Sequence, residues 1–281
     1  MGVQLLLATD LDRTLLPNGD APESTGVRDL FRQFTQRPEI ALAYVTGRHL
    51  GLVEEAIAEY WLPEPDYVVA DVGTTIYRKE QGDWRVVDAW RDDIAADWGN
   101  LSHQDLSREL VDLTELTLQE KTKQNDFKLS YYLPLSLQLT PLLGQIRQRL
   151  TRLGVHAELI YSVDEARQIG LLDIVPARAT KFHAVDFLRT HLELTLAKTV
   201  FAGDSGNDLP VLVSEIPAVL VANASDTIKQ QAQAEAERLG NCKALYQAQG
   251  GWRNLNGCYS AGILEGAIHF WPETERWLET L

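Results

Sequence analysis

Asp10 and Asp12 stand two residues apart at the end of the apolar run Gln4-Leu5-Leu6-Leu7-Ala8-Thr9. Asp204 and Asp208 stand four apart, just beyond a second apolar run, Thr199-Val200-Phe201-Ala202. Carboxylates this close repel one another unless a cation lies between them or one keeps its proton. The first pair alone fits either a magnesium site or an acid/base pair. If the fold brings the second pair to the same place, the converging oxygens call for a hard cation, and magnesium suits them. A carboxylate beside magnesium can attack phosphorus, because the metal neutralises the phosphate and the site excludes bulk water. Lys181 and Thr46 suit the same chemistry, one as a cation for the phosphoryl oxygens and the other as a hydroxyl donor.

Such residues need a frame that delivers them to one place. The run before Asp10 reads as a buried strand that presents its acids at the carboxyl edge of a parallel sheet, where open α/β sheets bind ligands. Pro17 to Asp20 is turn chemistry, and Asp20 with Glu23 predicts a capping box for a helix over 21–36 that buries Val27, Leu30, Phe31 and Phe34. Ile40 to Val45 predicts a second strand ending at Thr46-Gly47-Arg48. A helix bearing Leu50, Val53, Ile57 and Tyr60 and a third strand, Tyr67 to Ala70, follow. Alternating strands and helices predict an α/β fold with a doubly wound, Rossmann-like parallel sheet.

From about residue 82 the texture changes to a Trp-rich, acidic passage with Trp84, Trp90 and Trp98. These aromatics are expected in the small core of an inserted domain, and the acids from Asp88 to Asp97 on a solvated face. A helix carrying Leu106, Leu110, Leu113 and Leu116 is capped by Ser102, and residues 127–133 alternate as a half-exposed strand. A helix opened by Thr140-Pro141 and a strand over 155–161 complete a small α/β cap. Leu171 to Pro176 returns to buried-strand texture, followed by Lys181 at a helix start, strands at 199–202 and 218–221, a surface helix over 228–239 and a last helix around Ile263. The predicted division is a core of 1–81 and 171–281 with a cap, or lid, of 82–170.

The 281 residues, 45% hydrophobic and 23% charged, describe an ordinary globular chain of one large or two moderate domains. A formal net charge of −14 argues against nucleic acid and anionic membranes as partners. Cys242 and Cys258 have no ligand-like neighbours and suit a reducing compartment. With no apolar stretch of spanning length and no signal peptide, the expected location is the cytoplasm and the expected state a monomer.

Asp10-Leu11-Asp12-Arg13-Thr14-Leu15 resembles the first motif of the haloacid dehalogenase superfamily, and Gly203-Asp204-Ser205-Gly206-Asn207-Asp208 resembles its fourth. Thr46 and Lys181 fall where the second and third belong, and the insertion is similar to the cap of the sugar-phosphatase branch. Within that branch the chain is most similar to the sucrose-phosphate phosphatases. That likeness rests on Ala43-Tyr44-Val45-Thr46-Gly47-Arg48, Phe127-Lys128-Leu129-Ser130-Tyr131, Ser260-Ala261-Gly262-Ile263-Leu264-Glu265 and His269-Phe270. Arg13 departs from the family, which commonly has Asn or Gly there, and so does Thr75, where an acid is frequent.

The resemblance implies a magnesium-dependent hydrolase that cleaves sucrose 6-phosphate, with Asp10 as nucleophile forming an aspartyl-phosphate and Asp12 as general acid, then base. Asp10, the main-chain carbonyl of Asp12, Asp204 and Asp208 would hold Mg2+. Thr46, Gly47, Arg48, Lys128, Lys181 and Asn207 would bind substrate, Lys128 from the cap, and closure of the cap would assemble the site. The same motifs suit a phosphatase for glucosylglycerol, glycosylglycerate or mannosylfructose phosphate. A reading from another class is a non-catalytic module that binds sugar phosphate or docks on a sugar-phosphate synthase.

Overall fold

In a computed structural model, which describes residues 2–99, 101–164 and 167–279, the apolar run at the start of the chain forms β1 (Leu5–Thr9), buried along its whole length. It is followed by α1 (Val27–Thr35), β2 (Ile40–Val45), α2 (Leu50–Tyr60), β3 (Tyr67–Ala70), β4 (Thr75–Glu80) and β5 (Asp83–Val86). Next come α3 (Asp88–Ala95), α4 (His103–Glu109), β6 (Thr117–Leu118), β7 (Leu129–Leu133), α5 (Leu139–Arg152), β8 (Ala157–Asp164) and β9 (Ile169–Pro176). The remaining elements are α6 (Lys181–His191), β10 (Thr199–Gly203), α7 (Leu209–Leu212), β11 (Ala218–Leu220), α8 (Asp226–Leu239), β12 (Leu245–Gln247), α9 (Ser260–Phe270) and α10 (Arg276–Glu279). The chain divides into two units, Met1–Val86 with Lys181–Leu281, and Val87–Thr180.

In the first unit the described strands form one sheet in the order β12-β11-β10-β1-β2-β3-β4-β5. All neighbours from β12 to β3 are parallel, and β4 and β5 extend the sheet as an antiparallel hairpin. Consecutive β1 and β2 pair on one side of β1, and β10 pairs on the other. The order therefore reverses beside β1, and the carboxyl ends of β1, β2 and β10 lie at the point where such sheets bind ligands.

A helix that is apolar on all sides must be buried on all sides. In α9 every residue from Ser260 to Ile268 is buried. Its close approach to β11 depends on Gly266, where a Cβ would meet Cγ2 of Val219 at 2.2 Å. Glu265, buried on the same helix, accepts hydrogen bonds from Tyr246 Oη at 2.8 Å and from the amides of Gln249 and Gly250 at 2.9 Å each, which ties the segment after β12 to the core.

The second unit has a four-stranded antiparallel sheet in the order β6-β7-β9-β8. Leu129, Tyr131 and Leu133 of β7 alternate onto the face that shares a core with Trp98, Leu106, Leu142, Ile146 and Leu150. Trp90 and Trp98 are buried, as expected of large aromatics in a small domain. Trp84 belongs to β5 in the first unit and donates from Nε1 to Glu54 at 3.1 Å.

The structure corrects several expectations. Leu171 to Pro176 is part of β9, hydrogen-bonded between β7 and β8 in the second unit's sheet, not a strand of the parallel sheet. The divisions accordingly fall at 86/87 and 180/181 instead of 81/82 and 170/171. Asp20 and Glu23 form no capping box: α1 begins at Val27 behind Gly26, and the Glu23 carboxylate accepts from Arg28 Nε at 2.8 Å. The strand at 127–133 is not half exposed, because Ser130 on the face away from the core is fully buried and Lys128 is 8% exposed. Nor are all the acids from 88 to 97 merely solvated, since Asp97 and Asp93 each accept from Arg178 at 3.1 Å. The hairpin β4–β5 and the edge strand β12 lie in stretches without a strong apolar signal, and α7, apolar throughout, is too short at four residues to show helical periodicity.

The Gly266–Val219 approach is testable. Gly266→Ala is expected to lower unfolding free energy by about 1–3 kcal/mol through overpacking. Urea unfolding gives the number, and an unchanged midpoint would show that the α9–β11 contact yields without strain.

Candidate active site

Three adjacent strands end in functional residues. Asp10 follows β1 and its amide donates to Ala202 O of β10 at 2.9 Å, Thr46 follows β2 and its amide donates to Val69 O of β3 at 2.9 Å, and Asp204 follows β10. Sheet hydrogen bonding thus carries one residue past β1 and β2 and fixes where the side chains of Asp10 and Thr46 start. Lys181 opens α6, and Asp208 sits at the N-terminus of α7.

Asp10, Asp204 and Asp208 are all buried, and each offers a carboxylate oxygen within 4.8 Å of those of the other two. Lys181 Nζ lies 2.8 Å from Asp10 Oδ1 and 2.7 Å from Asp208 Oδ1. It also donates to Asn207 Oδ1 at 3.2 Å. The second oxygen of Asp208 accepts from the amides of Asp204 and Ser205 at 3.1 Å each, and from Ser205 Oγ at 3.0 Å. This fold of the loop against itself requires Gly203, where a Cβ would come 2.6 Å from Asp208 Cβ and Cγ.

One buried ammonium does not balance three buried carboxylates. Burial, then the Asp208 charge, pushes Asp10 up to about 7 despite Lys181. Burial and Asp208 likewise push Asp204 up to about 6, against the hydrogen bond that Thr14 Oγ1 donates at 3.1 Å. Lys181 is raised: burial works against its charge, but the Asp208 and Asp10 carboxylates overcome it. The donor set is all oxygen and carries surplus negative charge, which fits a hard divalent cation.

Asp12 stands apart from this group. Burial alone would raise it, but Arg48 donates from Nε at 2.9 Å and also from Nη2, and Asn18 Nδ2 donates at 2.8 Å, so its carboxyl is held below the usual range. Arg48 was one of the expected substrate ligands, and in this structure its guanidinium is engaged with Asp12. Thr46 Oγ1 accepts from the Arg48 amide at 3.2 Å. Asp10, Asp12, Thr46, Gly47, Arg48, Asp204 and Asn207 line one cavity of about 410 Å3, together with Arg13, Leu52 and Ser205.

Lys128 belongs to the second unit, where its Nζ lies 4.0 Å from Asp173 Oδ1. Thr14, Ser205 and Asn18 contribute to the site without having been singled out for it. Thr14 and Ser205 lie within the quoted motifs, and Asn18 reads as turn chemistry, so only the first two carried a signal.

An aspartate pair after the first strand, a threonine after the second, a lysine at a helix start and an acidic loop after β10, on a parallel sheet interrupted by an α/β unit, define a phosphohydrolase of the haloacid dehalogenase (HAD) superfamily. The chain belongs to the sucrose-6F-phosphate phosphohydrolase family, whose profile matches residues 3–271, and it is therefore a phosphoric monoester hydrolase of the sugar-phosphate phosphatase class. Among relatives, it is 49% identical to a HAD-like hydrolase of Nitrosococcus oceani, over 100% of this chain and 75% of that protein. It is 29% identical to the mannosylfructose-phosphate phosphatase of Agrobacterium fabrum, over 78% and 83% of the two chains. The sucrose-phosphatase of Synechocystis, solved with sucrose and phosphate, matches with a TM-score of 0.71 and 26% identity, over 95% of this chain and 98% of that one.

The charge imbalance has a consequence for stability. Asp10→Asn removes one of the three crowded acids and leaves the Lys181–Asp208 pair intact. In metal-free buffer the variant is expected to melt about 2–4 °C above the parent. A lower melting temperature in differential scanning calorimetry would mean that the Asp10–Lys181 ion pair outweighs the repulsion.

Proposed function

We propose that the protein hydrolyses sucrose 6-phosphate to sucrose and phosphate, with Mg2+ at Asp10, Asp204, Asp208 and the main-chain carbonyl of Asp12. The observation that carries this reading is the buried group of Asp10, Asp204 and Asp208 around a single lysine, at the carboxyl edge of a sheet whose chain matches a sucrose-phosphatase over nearly its whole length. When bound, the ion supplies positive charge that keeps Asp10 ionised and screens the phosphoryl group from it.

Asp10 Oδ attacks phosphorus and forms an aspartyl-phosphate as the bond to the sugar oxygen breaks; Asp12 gives that oxygen its proton. Water then loses a proton to Asp12 and attacks the phosphoryl group, which releases phosphate and restores Asp10. The Arg48 clamp favours the base form of Asp12, the form that serves the second half-reaction. In the first half, a phosphate group that draws the guanidinium away would let Asp12 take the proton it donates. Lys181, Thr46 and Gly47 hold the phosphoryl oxygens, and Asn207 orients Lys181. The second unit selects the sugar, Lys128 being the residue assigned to grip it.

A second reading, a phosphatase for mannosylfructose phosphate, is favoured by the 29% identity to the Agrobacterium enzyme. Both substrates present the same phosphoryl chemistry on a fructose-containing disaccharide, so the acids described here do not separate them.

Phosphate release from sucrose 6-phosphate, mannosylfructose phosphate, other glycosyl phosphates and hexose phosphates, with Mg2+ and with excess chelator, tests both. Chelator is expected to abolish release, and sucrose 6-phosphate to have the highest kcat/KM. A preference for mannosylfructose phosphate would keep the mechanism and move the substrate. Asp10→Asn should lower kcat at least about a thousandfold. Lys128→Ala should raise KM about tenfold with little change in kcat, the mark of lost binding shared by ground and transition states. No Mg2+-dependent release from any ester would overturn the assignment.

A further inference from the structure

Arg13 sits one residue past Asp12 with φ +60°. A long side chain in the left-handed region is strained unless its surroundings hold it there, and such outliers gather at functional sites. Here the backbone is held from both sides: the Arg13 amide donates to Asn18 Oδ1 at 2.8 Å, and Asn223 Nδ2 donates to the Arg13 carbonyl at 2.6 Å. Asn223 is itself fixed by the amide of Tyr259, which donates to its Oδ1 at 3.0 Å, and Tyr259 adopts φ 53° and ψ −132° at the N-terminus of α9. Gly19 leaves room alongside, since a Cβ there would lie 3.0 Å from Tyr259 Oη and 3.6 Å from Arg13 Nε.

What this framework delivers is a guanidinium at the acidic cluster. Arg13 Nε lies 3.6 Å from Asp204 Oδ2, while the other oxygen of Asp204 accepts from Thr14. The arginine side chain is 56% exposed and lines the active-site cavity, whereas the carboxylate it faces is 4% exposed. The guanidinium is therefore free to leave toward solvent, and the carboxylate is not.

We propose that Arg13 is the resident counter-cation of Asp204, which a divalent ion must displace or repel to bind, and that it sets the affinity of the site for that ion. The inference rests on the metal-site reading above. A guanidinium within reach of the same carboxylate oxygen opposes a doubly charged ion by Coulomb repulsion, and because Arg13 is half exposed, salt screens the effect. Asn and Gly tolerate the left-handed conformation, so either can replace Arg13 without new backbone strain.

Isothermal titration calorimetry of the metal-free full chain with MgCl2, without substrate, tests this. Arg13→Asn and Arg13→Gly are expected to bind Mg2+ about three- to tenfold more tightly than the parent at low salt, with the difference shrinking as KCl is raised to about 0.5 M. Arg13→Lys, which keeps the charge, should stay within about twofold of the parent. Parent-like affinity in Arg13→Asn and Arg13→Gly, or weaker binding, would overturn the proposal while leaving the metal site in place. An absence of Mg2+ binding by the parent itself would overturn both.

Discussion

Lys181 between Asp10 and Asp208 is the contact on which the site depends. Its ammonium is 2.8 and 2.7 Å from the two carboxylates and almost wholly buried, so it favours the ionised form of both acids in the interior. The pair also joins three distant stretches of chain: the end of β1, the start of α6 and the loop after β10. The first of these precedes the inserted unit in the chain, and the other two follow it. The inserted unit ends at Thr180, so the lysine that organises the acids is the first residue after it.

The loop after β10 shows how backbone chemistry supports that contact. Asp208 turns back to accept from the amides of Asp204 and Ser205, leaving its other oxygen for Lys181. Only a glycine at 203 leaves the space for this, and Gly203 is also the last residue of β10. A charged side chain whose oxygens are both engaged is rigid, and rigidity here is what fixes the distance between Asp208 and Asp10. Asp204 has no such anchoring on its second oxygen, where Arg13 is the neighbour. Of the three acids it is the one whose surroundings can exchange one cation for another.

Much of this was legible in the sequence because the signals were local and strong. β2 appears over the residues its apolar run predicts, β1 within its run, and Asp10, Thr46, Lys181 and Asp204 follow or open the elements expected of them. The misreadings have specific causes. Leu171 to Pro176 is as apolar as a parallel strand, but an apolar run is also what a strand hydrogen-bonded on both sides in a covered antiparallel sheet requires, and periodicity does not tell them apart. Asp20 and Glu23 have capping-box spacing, but Arg28 captures the Glu23 carboxylate. The Arg48–Asp12 and Arg13–Asp204 pairs depend on tertiary approach between loops, which no residue spacing encodes.

Asp10 and Asp12 are chemically identical and separated by one leucine, yet their surroundings drive them in opposite directions. Burial beside Asp208 pushes Asp10 up to about 7, while the guanidinium of Arg48 holds Asp12 low. As the proposed nucleophile Asp10 must be ionised, so it needs positive charge beyond what Lys181 supplies, and the three-acid group is where that charge would bind. As the proposed proton donor Asp12 has the reverse requirement, since it must at some stage be neutral, and its partner Arg48 is partly exposed at the cavity wall. Cation binding and phosphate binding would then act on different carboxylates, the first ionising the attacking group and the second releasing the proton carrier. Division of roles between neighbouring acids by environment alone is a general route to acid and base function in one site, and here the environments differ in the charged neighbours each residue meets, Asp208 and Lys181 for Asp10 and Arg48 for Asp12.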